Sequence, residues 1–191
     1  MMDKINTNSA CAAGVAKGAA EVEAMNAQGV YVAECYDKDG NLKWRDEIKN
    51  VVCNEGKNFA LDQILGGTAF VACYMGLISS VSYSSAPVVG DTMASHATWT
   101  EAGGANAPTF AARGTPAFSA ASGGSKATSS ATSFTMTGAG TLKGCFIVIG
   151  TGAVTTIGST AGKLLSAGLF SGGDKVVGNT DVVNVTYTLS M

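Results

Sequence analysis

The clearest pattern in the chain is a strict alternation of apolar and polar side chains near its C-terminal end. Four apolar side chains of this stretch point one way and four polar ones the other: Val183, Val185, Tyr187 and Leu189 against Asn184, Thr186, Thr188 and Ser190. A period of two residues is typical of a strand with one buried face. We therefore predict a strand over 182–190 that packs its apolar face against a second layer.

Two further apolar runs, over 142–149 and 164–170, predict strands in the same part of the chain. The stretch 70–78 carries apolar side chains on both of its faces, which favours a central position in a sheet. Shorter candidates are 117–120, 133–137, 153–157 and 175–177.

Residues 29–53 predict a β-hairpin whose turn lies at 37–41, where Gly40 is free to take a positive φ. Its return strand carries Trp44, which we interpret as capping an edge of the core.

Residues 54–67 predict the only helix, with Asn54 as its N-cap and Glu55 in its first turn. Gly66 and Gly67 end it. One face collects apolar side chains, so the helix is expected to plug an end of the sheets: Phe59, Ala60, Ile64 and Leu65.

Seven to nine short strands and one helix favour a mainly β fold, an antiparallel β-sandwich or jelly-roll-like arrangement, over a parallel α/β sheet. Residues 1–28 are rich in Ala and Gly and are interpreted as an extended N-terminal arm. Residues 29–191 are expected to form a single β-sandwich domain, because no later boundary is visible.

Charged residues make up only 14% of the chain, against roughly 25% in an average soluble domain. A surface so poor in charge is common where a protein packs against neighbours. The net charge of −2, with scattered Lys and Arg, argues against nucleic acid as the main partner. No apolar run approaches the roughly 20 residues that span a bilayer, and the N-terminus lacks a signal-peptide pattern, so no membrane partner is expected.

Five cysteines at long spacings, without a C-x-x-C pair, make a zinc site improbable. Their number is odd, and Cys35, Cys73 and Cys145 lie in apolar strand-like runs, which favours free thiols and assembly in a reducing cytoplasm. No metal or other cofactor is predicted.

The loop 79–104 holds the single histidine, His96, together with Asp91, Trp99 and Glu101. A general acid/base site can be drawn from these residues, but nothing in the sequence fixes a nucleophile held by the histidine. We therefore predict no catalytic residue. The favoured interpretation is a structured loop pinned by Trp99, with His96 satisfying backbone groups.

Five stretches stand out when they are taken in order along the chain: 50–56 running into the helix that ends at 65–67, then 74–78, 91–96 with 99–101, 164–170 and 181–189. In this order they resemble a widespread group of small structural proteins from tailed bacteriophages. The resemblance spans roughly residues 50–191, and residues 1–49 fall outside it.

This resemblance implies a virion component without catalytic residues, with a capsid cement or decoration protein as the favoured role. Such a protein binds the major capsid protein and copies of itself, as a dimer or trimer, on the capsid exterior after assembly in the host cytoplasm. Two alternatives stay open. One is a neck, tail or fibre component, and the other is a receptor- or glycan-binding module with Trp44, Tyr83 and Trp99 as stacking surfaces.

Overall fold

A computed structural model of the protein describes residues 27–66 and 72–191. This part of the chain is mainly β, with two antiparallel sheets that share one core and a single helix beside them. The predicted fold class, a β-sandwich-like fold with one short helix, is confirmed. The arm predicted for residues 1–28 lies outside the described residues except for Ala27 and Gln28, and Gln28 already belongs to the first strand.

The structure contains ten strands and one helix in its described part. In chain order they are β1 (Gln28–Tyr36), β2 (Leu42–Val52), α1 (Asn54–Gly66), β3 (Cys73–Ser79), β4 (Thr100–Glu101), β5 (Ser125–Ala127), β6 (Thr132–Thr135), β7 (Gly140–Ile149), β8 (Lys163–Leu169), β9 (Lys175–Val177) and β10 (Val182–Ser190).

The first sheet has the order β2-β1-β10, with the short strands β5 and β6 both pairing with β10. The second has the order β4-β3-β7-β8, with β9 also pairing with β7. Strand β2 joins the two sheets, since it pairs with β1 along its length and with β8 at Val51 and Val52.

The first sheet has one buried and one partly exposed face, which explains its alternating sequence. On β10 the side chains of Val183, Val185 and Tyr187 are buried in the main core, whereas their neighbours in sequence are only partly buried. The predicted bounds of this strand and the predicted hairpin with its turn at Gly40 (φ 83°) are confirmed.

The second sheet is buried on both faces, which explains its continuous apolar runs. On β7, Cys145 and Ile147 face the main core, while Phe146 and Val148 belong to a second apolar cluster on the other side. The loop 79–104 covers that outer side with Met93 and Trp99. The central position predicted for 70–78 is confirmed for β3; residues 70 and 71 lie outside the described part.

The helix begins at Asn54, as the predicted range has it, but its N-cap lies one residue earlier than predicted. The carbonyl of Cys53 accepts the first helical hydrogen bond, from the amide of Lys57 at 3.0 Å, so Cys53 rather than Asn54 is the N-cap. Glu55 ties the helix to two other segments, because its Oε2 accepts hydrogen bonds from the amides of Met93 (2.9 Å) and Leu164 (2.8 Å).

The predicted apolar face of the helix is wrong in its second half. Gly56 is buried against Leu165 of β8, where an added Cβ would lie 2.6 Å from the Leu165 Cα, and Phe59 packs on the main core. Ile64 and Leu65 are instead 65% and 84% exposed. The helix therefore covers the sheets only with its first turns, and the prediction that it ends at Gly67 falls outside the described residues.

Two short strand predictions are also wrong. Residues 117–120 contribute only a single bridge, between Phe118 and Thr128, and residues 153–157 form bends and turns. Both stretches have strand-like side chains, but within the described part of the chain neither forms more than an isolated bridge.

Asp46 of β2 fastens the loop after β8 to the first sheet. Its carboxylate accepts hydrogen bonds from the Ser171 amide (3.1 Å) and hydroxyl (2.7 Å) and from the Gly172 amide (2.9 Å), and it lies 2.7 Å from the Lys175 ammonium. Burial raises the pKa of this carboxyl, but these hydrogen bonds and the lysine outweigh burial, and the net result is a pKa below its ordinary value of 3.8.

This depressed pKa predicts acid-dependent loss of stability through Asp46. A carboxyl whose folded pKa is lowered stabilises the native state above its unfolded pKa, and that contribution disappears as the pH falls through the folded pKa. The difference in unfolding free energy between wild type and Asp46→Asn should be largest above about pH 5 and should shrink steadily below about pH 4. Urea titrations at several pH values measure it; a difference that grows towards low pH would contradict the assignment.

Candidate functional site

Trp99 anchors the loop 79–104 on the outer face of the second sheet. It is 1% exposed, and its ring centroid lies 5.4 Å from that of Phe146 on β7. Its Nε1 donates a hydrogen bond to Asp91 Oδ2 at 2.9 Å, so one carboxylate of the loop satisfies the buried indole. The prediction of a structured loop pinned by Trp99 is confirmed.

His96 stacks on the same indole. The ring centroids are 4.0 Å apart at an interplanar angle of 20°, and the imidazole Nδ1 lies 3.1 Å from the Trp99 carbonyl oxygen. The histidine therefore satisfies a backbone group, as predicted. In the described part of the chain, no hydrogen bond joins this imidazole to Asp91 or Glu101.

Glu101 forms a buried bidentate ion pair with Arg113. The arginine Nε and Nη2 donate to the two carboxylate oxygens at 2.8 and 2.7 Å, and the Gly158 amide donates to Oε2 at 2.7 Å. Arg113 also donates to the carbonyls of Val154 (3.2 Å) and Ser159 (2.7 Å). No pattern in the sequence relates Glu101 to Arg113, and this ion pair was not predicted.

His96 and Glu101 line one open cavity of about 380 Å³ together with Asn106 and Ile157. His96 and Glu101 were considered as acid/base candidates from the sequence, and the structure places both at one cavity. Both oxygens of Glu101, however, are engaged by Arg113 and by the Gly158 amide. The observed contacts thus fasten the segments 101–113 and 154–159 to each other.

The aromatic side chains considered as stacking surfaces differ in accessibility. Trp99 is buried. Trp44 packs on the margin of the main core, edge-on to Phe170 at 5.4 Å between centroids, and donates to the Val176 carbonyl at 3.2 Å, which confirms its interpretation as an edge cap. Tyr83 lies under the Lys143 ammonium, 4.4 Å from its ring centroid.

The four cysteines in the described part are free and buried: Cys35, Cys53, Cys73 and Cys145. Burial raises the pKa of Cys35, Cys53 and Cys73 to about 12, with Asp181 adding to the shift at Cys35 and Asp91 and Glu55 at Cys53. Burial also raises the pKa of Cys145. No cluster of metal-ligating side chains occurs among the described residues.

These raised pKa values predict inert thiols in the native protein, because the thiolate is the reactive species. At pH 8, a disulfide reagent should label at most one thiol per native chain, Cys11, and all five after denaturation. A colorimetric thiol titration with and without denaturant measures this. Rapid labelling of two or more thiols in the native protein would contradict the burial of the four.

An apolar groove runs between α1 and the sheets. It encloses about 330 Å³, and its lining is almost entirely apolar; among the residues that form it are Phe59, Ile64, Phe118, Ile149, Tyr187 and Leu189. Lys126 is the one charged residue in this lining. The groove was not predicted, because it arises where the second half of the helix stands away from the sheets.

The outward side of the same helix is apolar as well. Leu61 is 48% and Leu65 is 84% exposed, and neither contributes to the groove. Residues four apart lie on one side of a helix, so the two leucines form a small apolar patch. Large exposed apolar side chains that lie together are a feature of interaction surfaces.

No protein-family model, curated protein or solved structure matches the chain. The resemblance to bacteriophage structural proteins therefore stays a hypothesis. Within residues 27–66 and 72–191, no helix is long and apolar enough to span a membrane.

Proposed function

We propose that the protein is a bacteriophage virion structural protein, specifically a capsid cement protein on the capsid exterior. It would bind the major capsid protein and copies of itself and so stabilise the shell. The proposal rests on the sequence resemblance together with one structural observation, which is the exposed apolar patch of Leu61 and Leu65 on a β-sandwich-like body.

The two carboxylates of the loop 79–104 support a structural rather than a chemical role. Asp91 is engaged by Trp99, and Glu101 by Arg113 and the Gly158 amide. A low content of charge favours broad contacts with neighbouring subunits. Repetition of such contacts over a symmetric shell allows individually weak interfaces to act together.

The first test is the copy number of the protein in purified virions. A cement protein on a symmetric lattice should be present in hundreds of copies, whereas a neck, tail or fibre component is present in about a dozen or fewer. Quantitative mass spectrometry against the major capsid protein measures the ratio. A low ratio would favour the second role, and absence from the particle would refute both.

The second test is add-back to capsids that lack the protein. Leu65→Asp is expected to weaken binding by about tenfold or more, because a charge in an apolar contact must be desolvated. The matched control is Leu42→Asp, since Leu42 is 55% exposed but lies on β2 away from the helix. Equal binding of both variants and wild type would exclude the helix patch as the contact, and failure of wild type to bind would exclude the cement role.

A further inference from the structure

We propose that the apolar groove between α1 and the sheets is the binding site for the chain's own N-terminal segment, residues 20–26, with Val22 and Met25 as the side chains that enter it. The inference is independent of the capsid role. It concerns how the protein covers the apolar groove, which the described residues leave open.

The point where the described chain begins lies at this groove. Gly29 is in register with Leu189 on one side and with Asn50 on the other, and Leu189 and its neighbour Tyr187 line the groove. Ala27 packs against the main core two residues before Gly29. Strand β2 continues from Asn50 to Val52 and is followed by α1. The start of β1 therefore lies between the β2 end that leads into the helix and the end of β10.

The chemistry of the segment fits that of the groove. The lining is apolar except for Gln63 and Lys126. Residues 20–26 combine two large apolar side chains, Val22 and Met25, with two acidic ones, Glu21 and Glu23. Opposite charge on the segment and on Lys126 favours this occupant over a neutral or basic peptide.

The short connection favours the chain's own segment over that of a second copy. Val22 lies five positions before Ala27, with four residues between them, which is at most about 18 Å of extended chain. A ligand held on so short a tether has an effective concentration in the millimolar range. A second copy in dilute solution does not reach such a concentration.

Thiol labelling of the full-length chain tests the proposal. In a Cys11→Ser background, Ile64→Cys places a thiol on the groove wall, and Leu65→Cys places one on the next residue, outside the groove. The four buried native thiols should not react. Ile64 is 65% exposed among the described residues, so an open groove predicts similar maleimide rates at both positions. If the groove is occupied, the maleimide rate at position 64 should be at least about tenfold lower than the rate at position 65.

A double substitution identifies the occupant. Val22→Asp with Met25→Asp should raise the rate at position 64 to within about twofold of that at position 65, because two charges oppose entry into the apolar site. The matched control, Ile5→Asp with Val15→Asp, should leave the protection unchanged. Equal rates at positions 64 and 65 in the parent chain would overturn the proposal. So would protection that survives the double substitution, which would indicate a bound apolar molecule, or protection that rises with protein concentration, which would indicate a second copy.

Discussion

Arg113→Ala is expected to lower the free energy of unfolding by about 3–5 kcal/mol. The substitution leaves the Glu101 carboxylate buried without its cation, retaining only the Gly158 amide. It also removes the donors to the Val154 and Ser159 carbonyls, which hold the segment 154–159 in place. Urea denaturation followed by far-UV circular dichroism measures the change.

Two comparisons make this prediction specific. Arg45→Ala removes an exposed pair, in which the arginine Nε lies 3.1 Å from Glu34 Oε1, and should cost no more than about 1 kcal/mol. Combining Arg113→Met with Glu101→Leu should recover part of the loss, since the uncompensated buried charge is then absent. A loss for Arg113→Ala as small as that for Arg45→Ala would show that the ion pair contributes little.

Trp99→Ala should lower the free energy of unfolding by a similar amount, about 3–5 kcal/mol. The indole is buried between His96 and Phe146, and its removal opens a cavity between the loop and the second sheet. It also leaves Asp91 Oδ2 with only the Val88 amide as a donor. Thermal and urea denaturation both report the loss.

The matched control is Trp44→Ala, which removes the other tryptophan from a partly exposed position at the margin of the core. We expect its cost to be clearly smaller, because less apolar surface returns to water. If Trp44→Ala lowered the free energy of unfolding more than Trp99→Ala, the margin of the main core would contribute more to stability than the second apolar cluster.

The strands that could be predicted from the sequence are the long ones whose side chains are apolar on one face or on both. The bounds of β10 were predicted correctly because Val183, Val185 and Tyr187 face the core while the side chains between them face outward. Apolar side chains on both faces of 70–78 predicted the central position of β3, and the apolar run over 142–149 predicted β7, which the structure buries on both faces. In each case the periodicity of the side chains reflects the layers directly.

The parts that could not be predicted depend on contacts between distant, irregular segments. Glu101 lies in the two-residue strand β4 and Arg113 in an irregular segment, and no periodicity relates either of them to Gly158 or Ser159. The groove escaped prediction for a related reason. An amphipathic face predicts which side chains of a helix tend to be buried, but not how far along its length the helix stays in contact with the sheets. The N-cap was misplaced by one residue because Asn54 has a side chain favoured at N-caps, whereas the carbonyl of Cys53 accepts the first helical hydrogen bond.

The position of β2 has a consequence for the behaviour of the protein at high local concentration. This strand pairs with β1 along most of its length but meets β8 only at Val51 and Val52, so that residues 27–66 and 72–191 provide no β partner for much of its other backbone edge. The same strand carries a dense group of charges of both signs, at Lys43, Arg45, Asp46, Glu47 and Lys49. Charged side chains along such an edge hinder its extension by a strand from another molecule. At high local concentration these charges are expected to disfavour the growth of a continuous intermolecular sheet.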